Sequence, residues 1–441
     1  RRLREARVRQ ASAHPIGKYG GVDHLDAIVI GAGPAGLAAA TALDSAGLSL
    51  KVIEFGGPLA RRSRTVAEQI ASGVGGAGLF SDGKFSFFPS ATMLWRLQPA
   101  AVVERAYRWY ADVIADEVSW AASIPAFPDV DAPRTPIVAK AGAADKRYPS
   151  FYATLDERKR VIESLAVSLE ASILTETDVD DIEVTHREVR VAVRSRQSTV
   201  SFELTARALV VATGRFGPLS LSQFFPDAEW TSGRTELGVR IEQPTTEFFL
   251  RDHPSTDPKI ILNSPIAART FCCCRDGEVI ASASRGIVTV SGRADGPPTG
   301  LSNVAVLIRP TEQTLADDPG LLDRVLGAGM PLVSDFAEFM HAGARTDLNA
   351  FFGSELSTQL RTAVESIYDS VGHGLPKDAT VHGLAVEGVG KYPSLLRDLR
   401  WGRPPVWVVG DASGLFRGLT AAFVSGYFVG DRIYKHLVSG D

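Results

Sequence analysis

The pattern of apolar and polar positions predicts a βαβ unit near the start of the chain. In DAIVIGAGPAGLAAATALDSAGLSLKVIEFG, residues 27–30 form a short apolar run, as a buried parallel strand requires. Glycines follow, and residues 37–46 are strong helix formers that Gly47 closes. The stretch LSLKVIE is a second apolar strand that ends in an acid. This order of elements is typical of an α/β domain with a parallel sheet.

Farther along, the periodicity changes between helix and strand. Residues 155–169 have apolar positions at helical spacing and predict an amphipathic helix, whereas residues 171–213 alternate as strands and end in the buried run ALVVATG. A helical region is predicted over 320–368, among β-like stretches that differ in character from the first unit. The last segment, PPVWVVGDASGLFRGLTAAFVSGYFVGDRIYKHL, reads as a buried strand, a Gly-Asp turn and a long helix.

These elements predict an α/β fold in which one domain is built from separate pieces of chain. We expect a Rossmann-type domain with an inserted mixed α+β substrate domain. The predicted boundaries are 25–95, 151–218 and 400–441 for the first domain, 96–150 and 219–399 for the substrate domain, and 1–24 for an N-terminal arm.

Composition narrows the classes of function. The 441 residues are 45% hydrophobic and 22% charged, enough for the cores of about two or three domains. A formal net charge of −4 favours neither nucleic acid nor a membrane surface as a partner. The chain's three cysteines are adjacent, Cys272 to Cys274, which rules out a disulfide framework and indicates a cytoplasmic protein. On a strand, Cys272 and Cys274 would face one way and Cys273 the other. We expect the cysteine side chains to be buried in the protein rather than to bind a metal.

The turn GAGPAG has the G-x-G-x-x-G spacing of a dinucleotide site. Gly31 would make the tight exit from the strand, Gly33 would let the backbone approach a pyrophosphate, and Gly36 would let the helix pack closely. Glu54 ends the next strand, where a carboxylate would accept hydrogen bonds from the adenosine ribose. This motif alone leaves FAD and NAD as alternatives.

Two distant stretches favour FAD. ALVVATG at 208–214 and VWVVGDASG at 406–414 resemble two signatures of the glutathione-reductase-type FAD proteins. The resemblance implies that Asp411 binds the ribityl chain of the flavin. It also implies that the helix after Gly418 directs its N-terminus at the flavin pyrimidine, where a helix dipole stabilises negative charge.

A narrower resemblance runs from residue 27 to 432. GGAGLFSDGK, LGVRIEQP, TFCCC, SNVAVLI and GDASGLFRGLTAAFVSGYFVG are similar to motifs of the bacterial FAD-dependent dehydrogenase family. The resemblance implies an FAD-dependent oxidoreductase that accepts a hydride from a small organic substrate at flavin N5. Two alternatives stay open: a single-component monooxygenase that uses NAD(P)H and O2, and a non-redox or sensing flavoprotein.

A second group of glycines lies in SGVGGAGLFSDGKFSF, residues 72–87. It neither follows a buried strand nor opens a helix, and no Gly-Lys-Ser/Thr ends it, so it is neither a second Rossmann turn nor a P-loop. The sequence therefore predicts no dedicated nicotinamide domain, and reoxidation would fall to O2, another electron acceptor or transiently bound NAD(P)+. We expect the loop to lie beside the diphosphate and under the flavin, with Arg61, Arg62 or Arg64 neutralising the phosphates.

The full set of predicted site residues follows from these motifs. Lys84 and Arg417 are the candidates for chemistry, although a turn such as SDGK also uses its residues for local reasons. No spacing predicts a metal site. The residues expected to hold FAD are Gly31, Gly33, Pro34, Ala35, Gly36, Glu54, Phe55, Arg62, Gly75, Gly76, Ala77, Ser81, Val179, Ala212, Thr213, Gly214, Gly410, Asp411, Gly418, Leu419 and Thr420.

Overall fold

The structure of the protein is a computed structural model that describes residues 24–131, 138–140, 143–327, 329–343, 346–402 and 405–439. Nearly all of the predicted N-terminal arm, residues 1–23, lies outside the described residues. The strands are β1 (His24–Ile30), β2 (Leu50–Ile53), β3 (Lys84–Ser86), β4 (Val138–Lys140), β5 (Ala143–Asp145), β6 (Ser150–Tyr152), β7 (Ile173–Leu174), β8 (Thr177–Val184), β9 (Val189–Ser195), β10 (Ser201–Val211), β11 (Trp230–Pro244), β12 (Ile260–Leu262), β13 (Ala268–Cys274), β14 (Glu278–Ser284), β15 (Ile287–Arg293), β16 (Leu301–Ile308), β17 (Leu332–Asp335), β18 (Thr380–Pro393) and β19 (Val406–Val408).

The helices connect and cover these strands. They are α1 (Pro34–Ser45), α2 (Ala67–Ala71), α3 (Ala100–Ala115), α4 (Leu155–Ala166), α5 (Gly217–Phe224), α6 (Glu312–Asp317), α7 (Leu321–Leu326), α8 (Phe336–Met340), α9 (Asp347–Ser370) and α10 (Leu419–Ser439). In the described part of the chain, no helix is both long enough and apolar enough to cross a lipid bilayer.

The first sheet has the order β7-β2-β1-β10-β9-β8, and β19 also pairs with β10. Strand β1 is parallel to β2 and β10, and β10 is parallel to β19. Strand β9, by contrast, is antiparallel to both of its neighbours, β10 and β8. Both faces of β1 are buried: Ala27 and Val29 join the core under α1 and α10, and Ile28 and Ile30 join a second core on the other face. A doubly covered parallel sheet explains why this strand is apolar throughout.

The second sheet is antiparallel, in the order β17-β18-β11-β16-β13-β12-β5-β4. Its core includes Val239, Val306 and Val381 from the sheet and Leu360 and Val364 from α9. The chain thus combines an α/β part whose sheet is mainly parallel, as the sequence predicts, with a second part built from an antiparallel sheet and helices. The bounds of the two domains stay predictions. The glutathione-reductase-like subtype stays a prediction.

The structure refines several predicted elements. The amphipathic helix is confirmed as α4, which begins at a capping box formed by Thr154 and Glu157. The helical region predicted over 320–368 is confirmed in part: it contains α7, α8 and most of α9, but β17 separates α7 from α8, and its last residue, Asp335, caps α8. A further helix, α3, packs on α10 through stacked Trp109 and Tyr427 rings 4.2 Å apart. The predicted boundary at residue 96 assigns α3 to the substrate domain, whereas α3 packs on α10 of the first domain.

Candidate functional site

Four chain segments converge at the carboxyl edge of the parallel sheet. The amide of Gly31 donates to the Ile53 carbonyl at 2.8 Å, and the amide of Ala212 donates to Ile30 at 2.8 Å. Val409 donates to Val211 at 2.9 Å, which aligns the end of β19 with the end of β10. Because parallel strands end at one edge, the turns after β1, β2, β10 and β19 lie side by side there.

The glycines of the first turn have different physical requirements. Gly31 has a φ of +105°, and a Cβ there would lie 2.5 Å from the Ala212 carbonyl oxygen. A Cβ on Gly36 would overlap the Gly31 carbonyl. Gly33, by contrast, has an ordinary φ of −74°, and its nearest neighbour would be the Gly76 Cα at 3.7 Å. Packing within the protein therefore demands glycine at 31 and 36 but leaves a cradle at 33 that a Cβ would fill.

The N-terminus of α1 opens at this cradle. Its N-cap residue Gly33 makes no side-chain capping bond, Pro34 occupies the first turn, and no acid lies in that turn. Pro34, Ala35 and Gly36 are buried. An uncapped helix start carries orphan amides and the positive end of the helix dipole, so it suits an anion such as a diphosphate.

Glu54 connects this turn to the second glycine-rich segment. Its carboxylate is 6% exposed, and Oε2 accepts a hydrogen bond from the Ala32 amide at 2.7 Å. Oε1 accepts from the amides of Gly56 at 2.8 Å and Gly73 at 2.9 Å. A carboxylate has about four acceptor positions, so Glu54 keeps room for about one further donor. The sequence predicts the ribose contact but not this bracing of two loops.

The second glycine-rich segment lies on the first, as predicted. The Gly75 amide donates to the Ala32 carbonyl at 2.8 Å, and a Cβ on Gly76 would lie 2.9 Å from the Gly33 Cα. Farther along, a Cβ on Gly78 would lie 2.5 Å from Leu419 Cδ2, at the start of α10. The segment therefore contacts both helix N-termini of the site.

Arg62 binds this segment rather than standing free for a phosphate. Its Nη1 donates to the carbonyls of Val74 at 2.9 Å and Gly76 at 2.8 Å, and its Nε donates to Gln69 at 3.0 Å. Nη2 adds bonds to the carbonyls of Gln69 and Ile70. Burial lowers the pKa of Arg62 to about 10, against the attraction of Glu54. The structure thus corrects the diphosphate role predicted for this guanidinium, because backbone carbonyls take its donors.

The other two arginines considered for the diphosphate are also paired elsewhere. Arg61 forms an ion pair with Glu176, and Arg64 forms one with Asp295 at 2.7 Å. Ser81 makes a local bond, from its hydroxyl to the Gly78 carbonyl at 2.8 Å. The neighbouring Ala77 begins a short 3-10 turn that ends at Phe80.

Phe55 and Val179 flank the end of β2. Two guanidinium groups contact the Phe55 ring, with Arg196 4.3 Å and Arg285 4.7 Å from its centroid. Val179 is buried in the core on the far face of the sheet. The structure gives both side chains protein partners, and their contact with a cofactor stays a prediction.

An orphaned polar atom marks the turn after β10. The Thr213 hydroxyl is buried and, among the described residues, has no hydrogen-bond partner. Gly217 lets α5 begin beside it, because a Cβ there would overlap the hydroxyl. Gly214, between them, has a φ of +73° and no neighbour near its Cβ position. A buried hydroxyl without a partner costs free energy unless a ligand satisfies it.

The Gly-Asp turn supplies the fourth segment. Gly410 has a φ of +63°, and its Cβ position is 3.0 Å from Ala35 Cβ, so this turn meets the start of α1. In the described part of the chain, no hydrogen bond or ion pair engages the half-buried Asp411 carboxylate. Gly418 has a φ of +95° with no neighbour near its Cβ position. Thr420, by contrast, shares a 2.9 Å hydrogen bond with Tyr110, so its hydroxyl is occupied.

The two residues predicted for chemistry are both held in ion pairs. Lys84 pairs with Asp257, and Arg417 pairs with Glu387. Burial alone would lower the pKa of Lys84, but attraction to Asp257 and Tyr148 outweighs it and raises the pKa, so the amine stays charged. The ion pair with Asp257 therefore favours the charged form of Lys84, and its part in the chemistry stays a prediction.

The sequence does not predict that the cysteines form one cluster with a half-buried lysine, Lys259. Cys272 and Cys274 face the same side with 3.7 Å between their sulfurs, as predicted, and Cys273 lies in the core of the second domain. Asp257 accepts from the Cys273 amide at 2.9 Å and also attracts Lys259. Burial lowers the pKa of Lys259 to about 8, partly offset by Asp257. Sequence periodicity places Cys273 on one strand face but gives no sign of Asp257.

The comparisons with known proteins give structural neighbours only. No protein-family model matches the chain, and no curated protein matches it either. AlpK is 16% identical, with 95% of this chain and 64% of that chain covered and a TM-score of 0.43. A geranylgeranyl bacteriochlorophyll reductase-like protein from Thermoplasma acidophilum is 14% identical, with 96% and 80% covered and a TM-score of 0.44.

A third solved structure belongs to an enzyme named as a hydroxylase. The anhydrotetracycline hydroxylase OxyS from Streptomyces rimosus is 15% identical, with 94% and 63% covered and a TM-score of 0.42. The chain spans less than two thirds of the length of AlpK and OxyS. Identities and TM-scores this low leave the function to be argued from the site itself.

Proposed function

We propose that this protein is an FAD-dependent oxidoreductase that acts on a small organic substrate. The observation that carries the proposal is the glycine cradle at Gly33, open beside the uncapped start of α1. The fold accepts a Cβ at this position, so the glycine is best explained by a phosphate group that approaches the backbone.

The return of the chain to the same edge supports FAD over NAD. Strand β19 pairs with β10 and delivers Asp411 and α10 beside α1. Gly426 allows this close approach, because a Cβ there would overlap the Ala35 carbonyl. FAD, unlike NAD, carries a ribityl chain whose hydroxyls need hydrogen-bond acceptors. Asp411 could accept from them, since its carboxylate has no hydrogen-bond partner among the described residues.

Different residues of the chain would bind different parts of the cofactor. The α1 amides would bind the diphosphate, Glu54 would offer its remaining acceptor position to the ribose, and Asp411 would accept from the ribityl hydroxyls. FAD, when bound, supplies the hydride-accepting chemistry. The N-terminus of α10, which has no acid in its first turn, would stabilise negative charge on the reduced cofactor.

Anaerobic reduction tests the proposal and separates it from its alternatives. The FAD-loaded protein would be mixed without O2 with a panel of organic acids, alcohols and amines, and separately with NADH and NADPH. We expect an organic substrate alone to bleach the flavin absorbance. Rapid bleaching by NADPH, followed by incorporation of oxygen from O2 into a product, would instead establish a monooxygenase. Binding that perturbs the spectrum without bleaching would establish a non-redox flavoprotein.

A further inference from the structure

A concentration of arginines lies where the two domains meet, and the function proposed above does not use most of it. Two of its members come from the Rossmann-type domain, where Arg215 follows β10 and Arg417 precedes α10. The others lie on β11 and β13 or directly after β16. We name this group the arginine cluster; it consists of Arg215, Arg234, Arg269, Arg309 and Arg417 around Glu236 and Glu387.

Glu387 joins the two domains. Its side chain is buried, and its Oε1 lies 2.7 Å from Arg215 Nη2, while its Oε2 pairs with Arg417. Burial alone would raise the pKa of Glu387, but the two arginines hold it below its usual range. Through these two ion pairs, Glu387 holds Arg215 and Arg417 against the second sheet.

Glu236 does the same for the arginines of the second domain. It is 1% exposed and accepts from Arg269 Nη2 at 2.5 Å and from Arg309 Nε at 2.9 Å. Burial favours the neutral acid, but attraction to Arg269 prevails and lowers the pKa of Glu236 to about 2. Glu387 is thus shared between two arginines, and Glu236 accepts hydrogen bonds from two.

Arg234 makes the longest ion-pair contact of the five arginines. Its Nε lies 3.5 Å from Glu236 Oε2 but is buried without a hydrogen bond, and across the described ranges no hydrogen bond is donated by this side chain. The side chain is 31% exposed, so a ligand can reach it. Burial and then repulsion by Arg417 lower the pKa of Arg234, against the attraction of Glu236. The N–H donors of this planar guanidinium are therefore available to another partner.

The charge in the cluster is not balanced. Five arginines face two glutamates, and although Asp411 also attracts Arg417, the cations still outnumber the carboxylates among the described residues. Partly buried charge of one sign is unfavourable, because it is less screened than charge in water. An added anion would therefore bind with a favourable field already in place.

We propose that the arginine cluster is the substrate subsite and that it recognises the carboxylate of a small organic acid through Arg234. The proposal rests on the proposed function, since it names the substrate class of that site. Arg215 and Arg417 belong to the turns after β10 and before α10, so the cluster lies beside the segments expected at the flavin end of the cofactor. The diphosphate has its own place at Gly33. A guanidinium fork matches a carboxylate in a bidentate pair.

Calorimetric titration of the holoprotein tests the subsite without relying on turnover. The FAD content is measured first by absorbance, and the protein is then titrated with acetate, propionate, benzoate and phenylacetate, with the neutral amide of each, and with inorganic phosphate. We expect at least one carboxylate to bind saturably while its amide does not. Arg234→Met should weaken this binding about tenfold or more, as expected for a lost charge-assisted hydrogen bond.

Matched variants keep the result interpretable. Arg234→Lys keeps the charge but not the fork, so we expect an intermediate loss; it also carries the test if Arg234→Met fails to fold. Arg190→Met, which removes a guanidinium from a surface pair with Glu188, should bind as the unmodified protein does.

The outcomes separate the two proposals. Failure of every carboxylate to bind, equal binding by the Arg234 variants, or preference for inorganic phosphate would each overturn the subsite while an FAD-loaded protein keeps the proposed function. A chain that takes up no FAD would overturn the proposed function, and with it the substrate role of the cluster.

Discussion

Gly76 and Gly33 meet back to back, and a Cβ on Gly76 would lie 2.9 Å from the Gly33 Cα. The contact joins the two glycine-rich segments at the carboxyl edge of the parallel sheet, where the Gly75 amide also donates to Ala32. The second segment therefore lies against the first turn, and we propose that both serve one nucleotide. The conformation of Gly76 thus affects the cradle directly.

Gly76→Val should loosen the cofactor site. The φ of Gly76 is +58°, a region that a β-branched residue occupies at a cost of about 1–3 kcal/mol, and the new side chain would press on Gly33. We expect the FAD content of the purified variant to fall about fivefold or more, as measured by absorbance. Gly374→Val is the control, because Gly374 is exposed with nothing near its Cβ position. Equal FAD content in the two variants would contradict the placement of the loop.

Glu54→Gln tests whether the carboxylate braces both loops. The amide would turn an NH2 group toward backbone donors that now find an acceptor, leaving at least one buried amide unsatisfied. We expect a loss of about 1–3 kcal/mol in the free energy of unfolding of the apoprotein, measured in urea, together with weaker FAD binding. Glu203→Gln, at an exposed position of β10, should change neither. An apoprotein of unchanged stability would limit Glu54 to a ribose contact.

Arg62→Met distinguishes a loop-binding arginine from a phosphate-binding one. Because its donors bind carbonyls between Gln69 and Gly76, the variant should destabilise the apoprotein by about 2 kcal/mol or more even without FAD. Arg61→Met removes a more exposed ion pair with Glu176 and should have little effect. The opposite pattern, an intact apoprotein with weakened FAD binding, would restore the diphosphate role.

The pH dependence of stability should report on Glu236. Its folded-state pKa of about 2 lies below the unfolded value, so its stabilising effect is complete above the unfolded pKa and is lost as pH falls toward 2. The shift corresponds to roughly 3 kcal/mol at neutral pH. Denaturation of the wild type and Glu236→Gln at pH 7 and pH 3 should show a difference that shrinks at the lower pH. A difference independent of pH would exclude the ionised carboxylate as its source.

The local parts of the site could be predicted from the sequence, and the distant contacts could not. Gly31 and Gly36 are visible because a strand, a tight turn and a helix leave a signal within about ten residues. The sequence predicts Arg62 as a phosphate ligand because a guanidinium can donate to a phosphate or to carbonyl oxygens, and the sequence does not tell which partner it has. Its carbonyl acceptors become visible only when the loop that ends at Gly76 folds back on it.

The arginine cluster shows the same limit more strongly. Arg215, Arg234 and Arg417 come from different segments, brought together by the pairing of β11 with β18 and by the return of α10. Alternation along β11 predicts which residues share a face but not that Glu236 meets Arg309. Such pairs depend on sheet order, which periodicity does not specify.

The central claim is that Gly33 is a glycine because FAD occupies its cradle. The most direct measurement is a fluorescence titration of the apoprotein with FAD, compared between the wild type and Gly33→Ala. The added Cβ would find no protein atom nearer than 3.7 Å, so the variant should unfold at nearly the same urea concentration as the wild type. We expect it to bind FAD about tenfold or more weakly. A Gly33→Ala protein that binds FAD as tightly as the wild type, or a wild type that binds none, would contradict the account.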